Sequence, residues 1–119
     1  FIVQPGHGAN LISNVPHNLT ESAKTIALIL QHAHAAGAIE VEVAKEAEDA
    51  WLELLHSGPG TFFGSTECTP GYYNNEGQPT VAGRDFILGY PLGAMAYFEY
   101  LEHWRKTGTF DGLEFRRDA

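Results

Sequence analysis

The chain has 119 residues, enough for one domain that buries about two thirds of the surface its unfolded form exposes. Its formal charge of −8 argues against nucleic acid and anionic membrane as partners, and no apolar run approaches the length of a bilayer span. The single cysteine, Cys68, excludes an internal disulfide and suits a reducing cytosol, so a cytoplasmic location is expected.

The chain opens on Phe1-Ile2-Val3, a cluster of β-branched and aromatic residues with the look of a buried strand. Such a strand needs ladder partners, and no initiator methionine precedes it, so the chain is expected to be the tail of something longer. Pro5-Gly6-His7-Gly8-Ala9-Asn10 can continue neither strand nor helix and forms a loop. Asn18 then has the chemistry of an N-cap, with Glu21 three residues on as its capping-box partner. Strand, glycine loop and helix start together make a βα corner, where the helix dipole favours an electron-rich or anionic group. The loop lacks the third glycine of G-x-G-x-x-G and the Gly-Lys-Ser/Thr of a P-loop, so a plain βα turn remains the alternative.

A first helix is predicted over 19–36, with Leu19, Ala23, Ile26, Ala27, Leu30 and Ala33 on one face and Gly37 as its stop. His32 and His34, near its C-terminal end, point in different directions and suit surface or dipole roles rather than a shared metal. Strict alternation over 39–43 predicts a half-buried strand with Glu40 and Glu42 facing water. A second helix follows over 45–56, its apolar stripe built from Ala47, Ala50, Trp51, Leu54 and Leu55, with Glu46, Asp49 and Glu53 on a solvated face. The Glu53-x-x-His56 spacing has no second copy, so a di-iron bundle is rejected.

From 57 to 83 the chain is rich in turn residues, and Phe62, Phe63, Tyr72 and Tyr73 argue for an ordered loop packed on something. Cys68 has no histidine or cation near it in sequence and fits a buried small hydrophobe better than a nucleophile. Residues 84–90 form a strand candidate. A third helix is predicted over 92–106, with Pro91 in its first turn, Ala94, Tyr97, Phe98 and Leu101 on one face, and Gly108 as its stop. Residues 112–115 add a last short strand.

Four segments together carry a family resemblance: P-G-H-G-x-N-L-x-S-N over 5–14, A-E-x-A-W over 47–51, C-T-P-G-Y-Y-N-N-E-G over 68–77 and the T-F-D-G-L-E-F tail over 109–115. The chain resembles the C-terminal part of a flavin-dependent Baeyer–Villiger monooxygenase, in the branch acting on bulky, steroid-like or large-ring ketones. The ten-residue segment over 68–77 is the most specific element. The resemblance implies an α/β fold, a fragment of an FAD/NAD(P)-binding Rossmann-like domain with three main helices, a few short strands and a long ordered loop. Residues 1–37 would be the last strand-loop-helix of the FAD-binding domain and 38–119 a C-terminal extension packed on the FAD and NADPH domains.

In such enzymes FAD reduced by NADPH reacts with dioxygen to give a C4a-peroxyflavin, which attacks the ketone to yield an ester or lactone. The implied roles place Gly6, Ser13 and Asn14 at the cofactor, Asn10, Leu11, Ile12 and Val15 around the ketone, and Tyr72, Tyr73 and Asn74 in a loop at the cofactor cleft. Ordinary core packing is the alternative for Leu11, Ile12 and Val15. The family's dinucleotide motifs, fingerprint histidine and catalytic arginine are absent here, and no tryptophan stands in the 68–77 loop. Hence no catalytic residue or metal ligand is assigned. The expected partners are the N-terminal remainder of the enzyme and the ketone, with no cofactor held by this chain alone. A free-standing acidic α/β interaction module and a flavin-dependent N-hydroxylating monooxygenase are the competing readings.

Overall fold

The computed structural model describes residues 8–9, 13–58, 69–71, 76–77 and 89–117. Within them the elements run α1 (Val15–Ala36), β1 (Glu40–Val43), α2 (Lys45–His56), α3 (Ala94–Thr107) and β2 (Leu113–Arg116). The mixture of helix and strand agrees with the expected α/β character. The strand expected at 1–3 and residues 84–88 of the strand expected at 84–90 lie outside the described residues, and Gly89 and Tyr90 are not in a strand.

Helix α1 starts four residues before its predicted first residue, because Asn14 and not Asn18 is the cap. The Asn14 side chain accepts a hydrogen bond from the His17 amide at 3.1 Å, and Pro16 sits in the first turn, where its missing N–H costs nothing. Asn18 is buried within the helix, and its own amide donates to the Asn14 carbonyl. Glu21 is therefore no capping-box member; it too is buried. The far end is as predicted: Gly37 takes φ 65°, its amide reaches the His34 carbonyl and the Ala38 amide the Ala33 carbonyl, a Schellman closure.

The face that α1 buries shares only Ala33, and half-buried Ile26, with the predicted one. Asn18, Glu21, Ile29 and Ala33 are buried, while Leu19 and Leu30 are 45% and 51% exposed. The rotation has a cause on α3, which approaches through two polar-compatible contacts. The Phe98 ring meets His17 edge-on at 4.6 Å, and Arg105 reaches Glu21 and Thr25.

Helix α2 keeps its predicted bounds, but its buried stripe is narrower than expected. Leu55 is 1% exposed and Trp51 half-buried, whereas Ala50 and Leu54 face solvent. Glu46, Asp49 and Glu53 are exposed, as the stripe required. Helix α3 begins at Ala94, after Gly93 at φ 89°, and Pro91 lies in the turn before it and not in its first turn. Its buried side matches the prediction, with Phe98 deepest and Ala94, Tyr97 and Leu101 half-buried. Gly108, at φ 65°, ends it.

The sheet is one antiparallel pair, Glu40 opposite Arg116 and Val43 opposite Leu113. Arg116 is ringed by Glu42, Glu114 and Glu40 at 2.5, 3.4 and 3.8 Å. All four side chains are more than half exposed, so the cluster contributes little to stability. Between α3 and β2 the chain turns through Phe110, a buried residue in the left-handed region at φ 55°. Its ring stacks on His32 of α1 at 4.0 Å and meets Trp104 and Phe115 edge-on. The Trp104 indole N–H donates to the Asp111 carbonyl at 3.1 Å, closing the turn. Two of the segments singled out in sequence meet here: a Cβ on Gly112 would stand 3.0 Å from the Ala47 methyl, so α2 and the turn pack only because both residues are small. His32 is thus a packing partner as well as a surface residue.

Candidate cofactor-facing loop

Of the predicted site residues, Ser13, Asn14 and Val15 are described; Gly6, Asn10, Leu11, Ile12, Tyr72, Tyr73 and Asn74 lie outside the described residues. Ser13 is half-buried, Asn14 is committed through its side chain to capping α1, and Val15 is 42% exposed and so outside this chain's core. The first turn of α1 carries no carboxylate. Its positive dipole end is therefore not offset by a carboxylate of its own first turn.

The loop itself is anchored at Gly8 and Ala9, both buried, Ala9 completely. The Gly8 carbonyl accepts from the Tyr90 amide at 2.8 Å. The Tyr97 ring covers the other side of the same residue: a Cβ on Gly8 would stand 2.9 Å from Cζ and 3.0 Å from the phenol oxygen. Tyr90 and Tyr97 belong to an aromatic cluster reaching α2. Trp51 stacks on Tyr90 at 5.8 Å with the planes 19° apart, and lies 6.2 Å from Tyr97 and 5.7 Å from Tyr100. Burial raises the Tyr97 hydroxyl above its ordinary pKa, with the Tyr100 phenol adding to it, so the ring is neutral at physiological pH. Sequence reading placed Trp51 and Tyr97 on apolar stripes; nothing in the order of residues tied either to Gly8, because Tyr90 reaches the loop through its backbone.

The segment over 68–77 is closed on itself at its described ends. The Glu76 amide donates to the Gly71 carbonyl at 2.9 Å, and Gly77, at φ 74°, lies against the Pro70 ring, with 3.2 Å between its would-be Cβ and Cγ. Glu76 also takes a positive φ of 56°. The described ends of the segment are thus held together, as the ends of binding loops commonly are.

Comparison with known proteins gives the class first: over most of its length the chain is a homologue of FAD-binding and Baeyer–Villiger monooxygenases. It is 43% identical over 95 residues to a Baeyer–Villiger monooxygenase of Streptomyces coelicolor, a match covering 78% of this chain and 15% of that protein. It is 36% identical over 114 residues to FAD-binding monooxygenase hmp7 of Hypomyces subiculosus, covering 93% of this chain and 18% of the relative. Baeyer–Villiger monooxygenase 4 of a Dietzia species is 32% identical over 111 residues, covering 89% of this chain and 18% of the relative. The chain thus spans less than a fifth of the length of these relatives. No family model and no solved structure matches it.

Proposed function

We propose that the chain is the C-terminal part of a Baeyer–Villiger monooxygenase that inserts one oxygen of O2 into a bulky, steroid-like or large-ring ketone, using FAD and NADPH. The observation that carries this reading is a pinned loop. Gly8 is fixed from two sides next to the carboxylate-free N-terminus of α1, within a chain homologous to such monooxygenases. FAD, when bound and reduced by NADPH, supplies the oxygen activation; the chain supplies position and charge. An electron-rich flavin edge suits the positive end of α1, and Gly6, Ser13 and Asn14 are the residues to hold it. Asn10, Leu11, Ile12 and Val15 follow the glycines and wall the ketone, while Tyr72, Tyr73 and Asn74 lie at the cleft. Residues 1–37 close an FAD-binding Rossmann-like domain, and 38–119 form an extension packed on the rest of the enzyme.

The test is product analysis with the complete protein that carries this chain. Supplied with FAD, NADPH, O2 and a polycyclic ketone, it is expected to give the ester or lactone with one added oxygen. NADPH consumption without an oxygenated product overturns the reading. The 119-residue chain alone is expected neither to retain FAD nor to oxidise NADPH, since no dinucleotide-binding glycine motif is present to cradle a pyrophosphate. A flavin-fluorescence titration checks this, and sub-micromolar binding contradicts it.

Pocket side chains discriminate substrates by roughly 1–3 kcal/mol each, so Leu11→Ala should change the kcat/KM ratio between a bulky and a small ketone by roughly 10-fold or somewhat more. NADPH-driven flavin reduction should stay nearly unchanged. Equal losses for both ketones with a lowered melting temperature would place Leu11 in the core instead.

A further inference from the structure

We propose that Tyr97, together with the Tyr90 amide, is the positioning device for the loop before α1, and that residue 8 must be glycine because the Tyr97 ring occupies the space of its side chain. The inference rests on the reading of that loop as the flavin's neighbour and goes beyond it by naming what fixes the loop. Two contacts grip one residue from different directions. The Tyr90 amide holds the Gly8 carbonyl at 2.8 Å, and the Tyr97 ring leaves less than van der Waals room for a Cβ, with Cζ, the phenol oxygen and Cε1 at 2.9, 3.0 and 3.1 Å.

A tyrosine tip is ordinarily able to swing aside, but this one is hemmed in. Its ring packs 5.9 Å from Tyr90, 5.9 Å from Phe98 and 6.2 Å from Trp51. Tyr90 is in turn stacked on Trp51 and tilted against Tyr100 at 6.0 Å. Moving the Tyr97 ring therefore disturbs the residue whose amide holds the loop, so relief of one contact loosens the other. Neither tyrosine needs to touch substrate or cofactor. They act through Gly8, with α2 and α3 as the rigid support that precise sites require.

The experiment is a double-mutant cycle in the complete FAD-loaded protein, reading the thermal midpoint, FAD affinity and the visible flavin absorption band. Gly8→Ala is expected to lower the midpoint by roughly 2–4 °C. It should also weaken FAD binding about 10-fold and shift the flavin band, since sub-ångström displacement at a site costs on that order. In a Tyr97→Leu background the same substitution should cost less than about 2-fold, because the ring that the methyl meets is gone. Tyr97→Phe, which keeps the ring, should behave like the parent protein. Equal effects of Gly8→Ala in both backgrounds on the midpoint overturn the inference, whatever happens to the flavin. Coupling in the midpoint with FAD affinity and spectrum unmoved also overturns the positioning role, and it assigns the failure to the loop's proposed place beside the flavin.

Discussion

Arg105→Ala is expected to cost roughly 3–5 kcal/mol of folding stability, the loss that follows when one partner of a buried ion pair is removed. The Arg105 and Glu21 side chains are only 13% and 8% exposed. Arg105 donates to a Glu21 carboxylate oxygen at 2.5 Å, to the Thr25 hydroxyl at 3.1 Å and to the Glu21 carbonyl at 3.3 Å. The other carboxylate oxygen accepts from Lys24 at 2.6 Å. Truncating the arginine leaves a buried carboxylate with a single, largely exposed lysine as partner. Arg105→Lys is not a conservative control, since an ammonium lacks the planar fork that serves three acceptors here.

The pH dependence has a definite sign. The Lys24 hydrogen bond, aided by the hydrogen bond and charge of Arg105, outweighs burial and holds the Glu21 carboxyl below its ordinary 4.5. A depressed carboxyl stabilises the fold above its unfolded value, and that stabilisation is lost as pH falls through the folded one. Chemical denaturation of parent and Arg105→Ala should therefore differ most near neutrality and converge on acidification below 4.5. A difference under ~1 kcal/mol at neutral pH would mean the α1–α3 contact does not depend on this pair.

Trp51→Ala should cost about 3 kcal/mol, the lower end of the range for aromatic truncation, because the side chain is half-buried rather than enclosed. It is the one residue of α2 whose ring contacts Tyr90, Tyr97 and Tyr100 among the described residues. Loss of the indole should also loosen the Gly8 anchor. Stability would then fall together with the flavin-binding properties of the complete protein, while Leu55→Ala on the same helix should affect stability alone. Denaturation curves and FAD titrations of the two variants separate them, and equal loss of FAD affinity in both would remove Trp51 from the support of the loop.

Local signals were legible in the sequence wherever a single residue decides the backbone. Gly37 and Gly108 stop their helices at left-handed φ values, and the alternation over 39–43 locates β1 at Glu40–Val43, although the expected buried face is reduced to half-buried Val41, with Ile39 and Val43 exposed. The bounds of α2 follow from its periodicity. Asn14 was hidden by Asn18: both have capping chemistry, and Pro16 in the first turn is the signal that separates them. The rotation of α1 was not legible, because its buried face is set by Arg105, over eighty residues away in sequence, and periodicity weighs apolar residues only. For the same reason Glu21 reads as a cap residue in sequence and as a buried ion-pair partner in space. The flavin assignments drew on family likeness, since Ser13 and Asn14 carry no pattern of their own.

The pairing of β1 with β2 ties Glu40–Val43 to Leu113–Arg116 and makes the whole stretch 44–112 a covalently continuous ring closed by a hydrogen-bonded ladder. Ring closure costs chain entropy that grows only logarithmically with circumference, about 0.6 kcal/mol for each doubling. The segment between α2 and Tyr90 can therefore lengthen or shorten among related chains at small thermodynamic expense. What it cannot do is close early. The ladder forms only after both ends of the ring have met, so the two short strands are expected to zip last and to fray first, and folding should be slower than three helices of this size would be on their own.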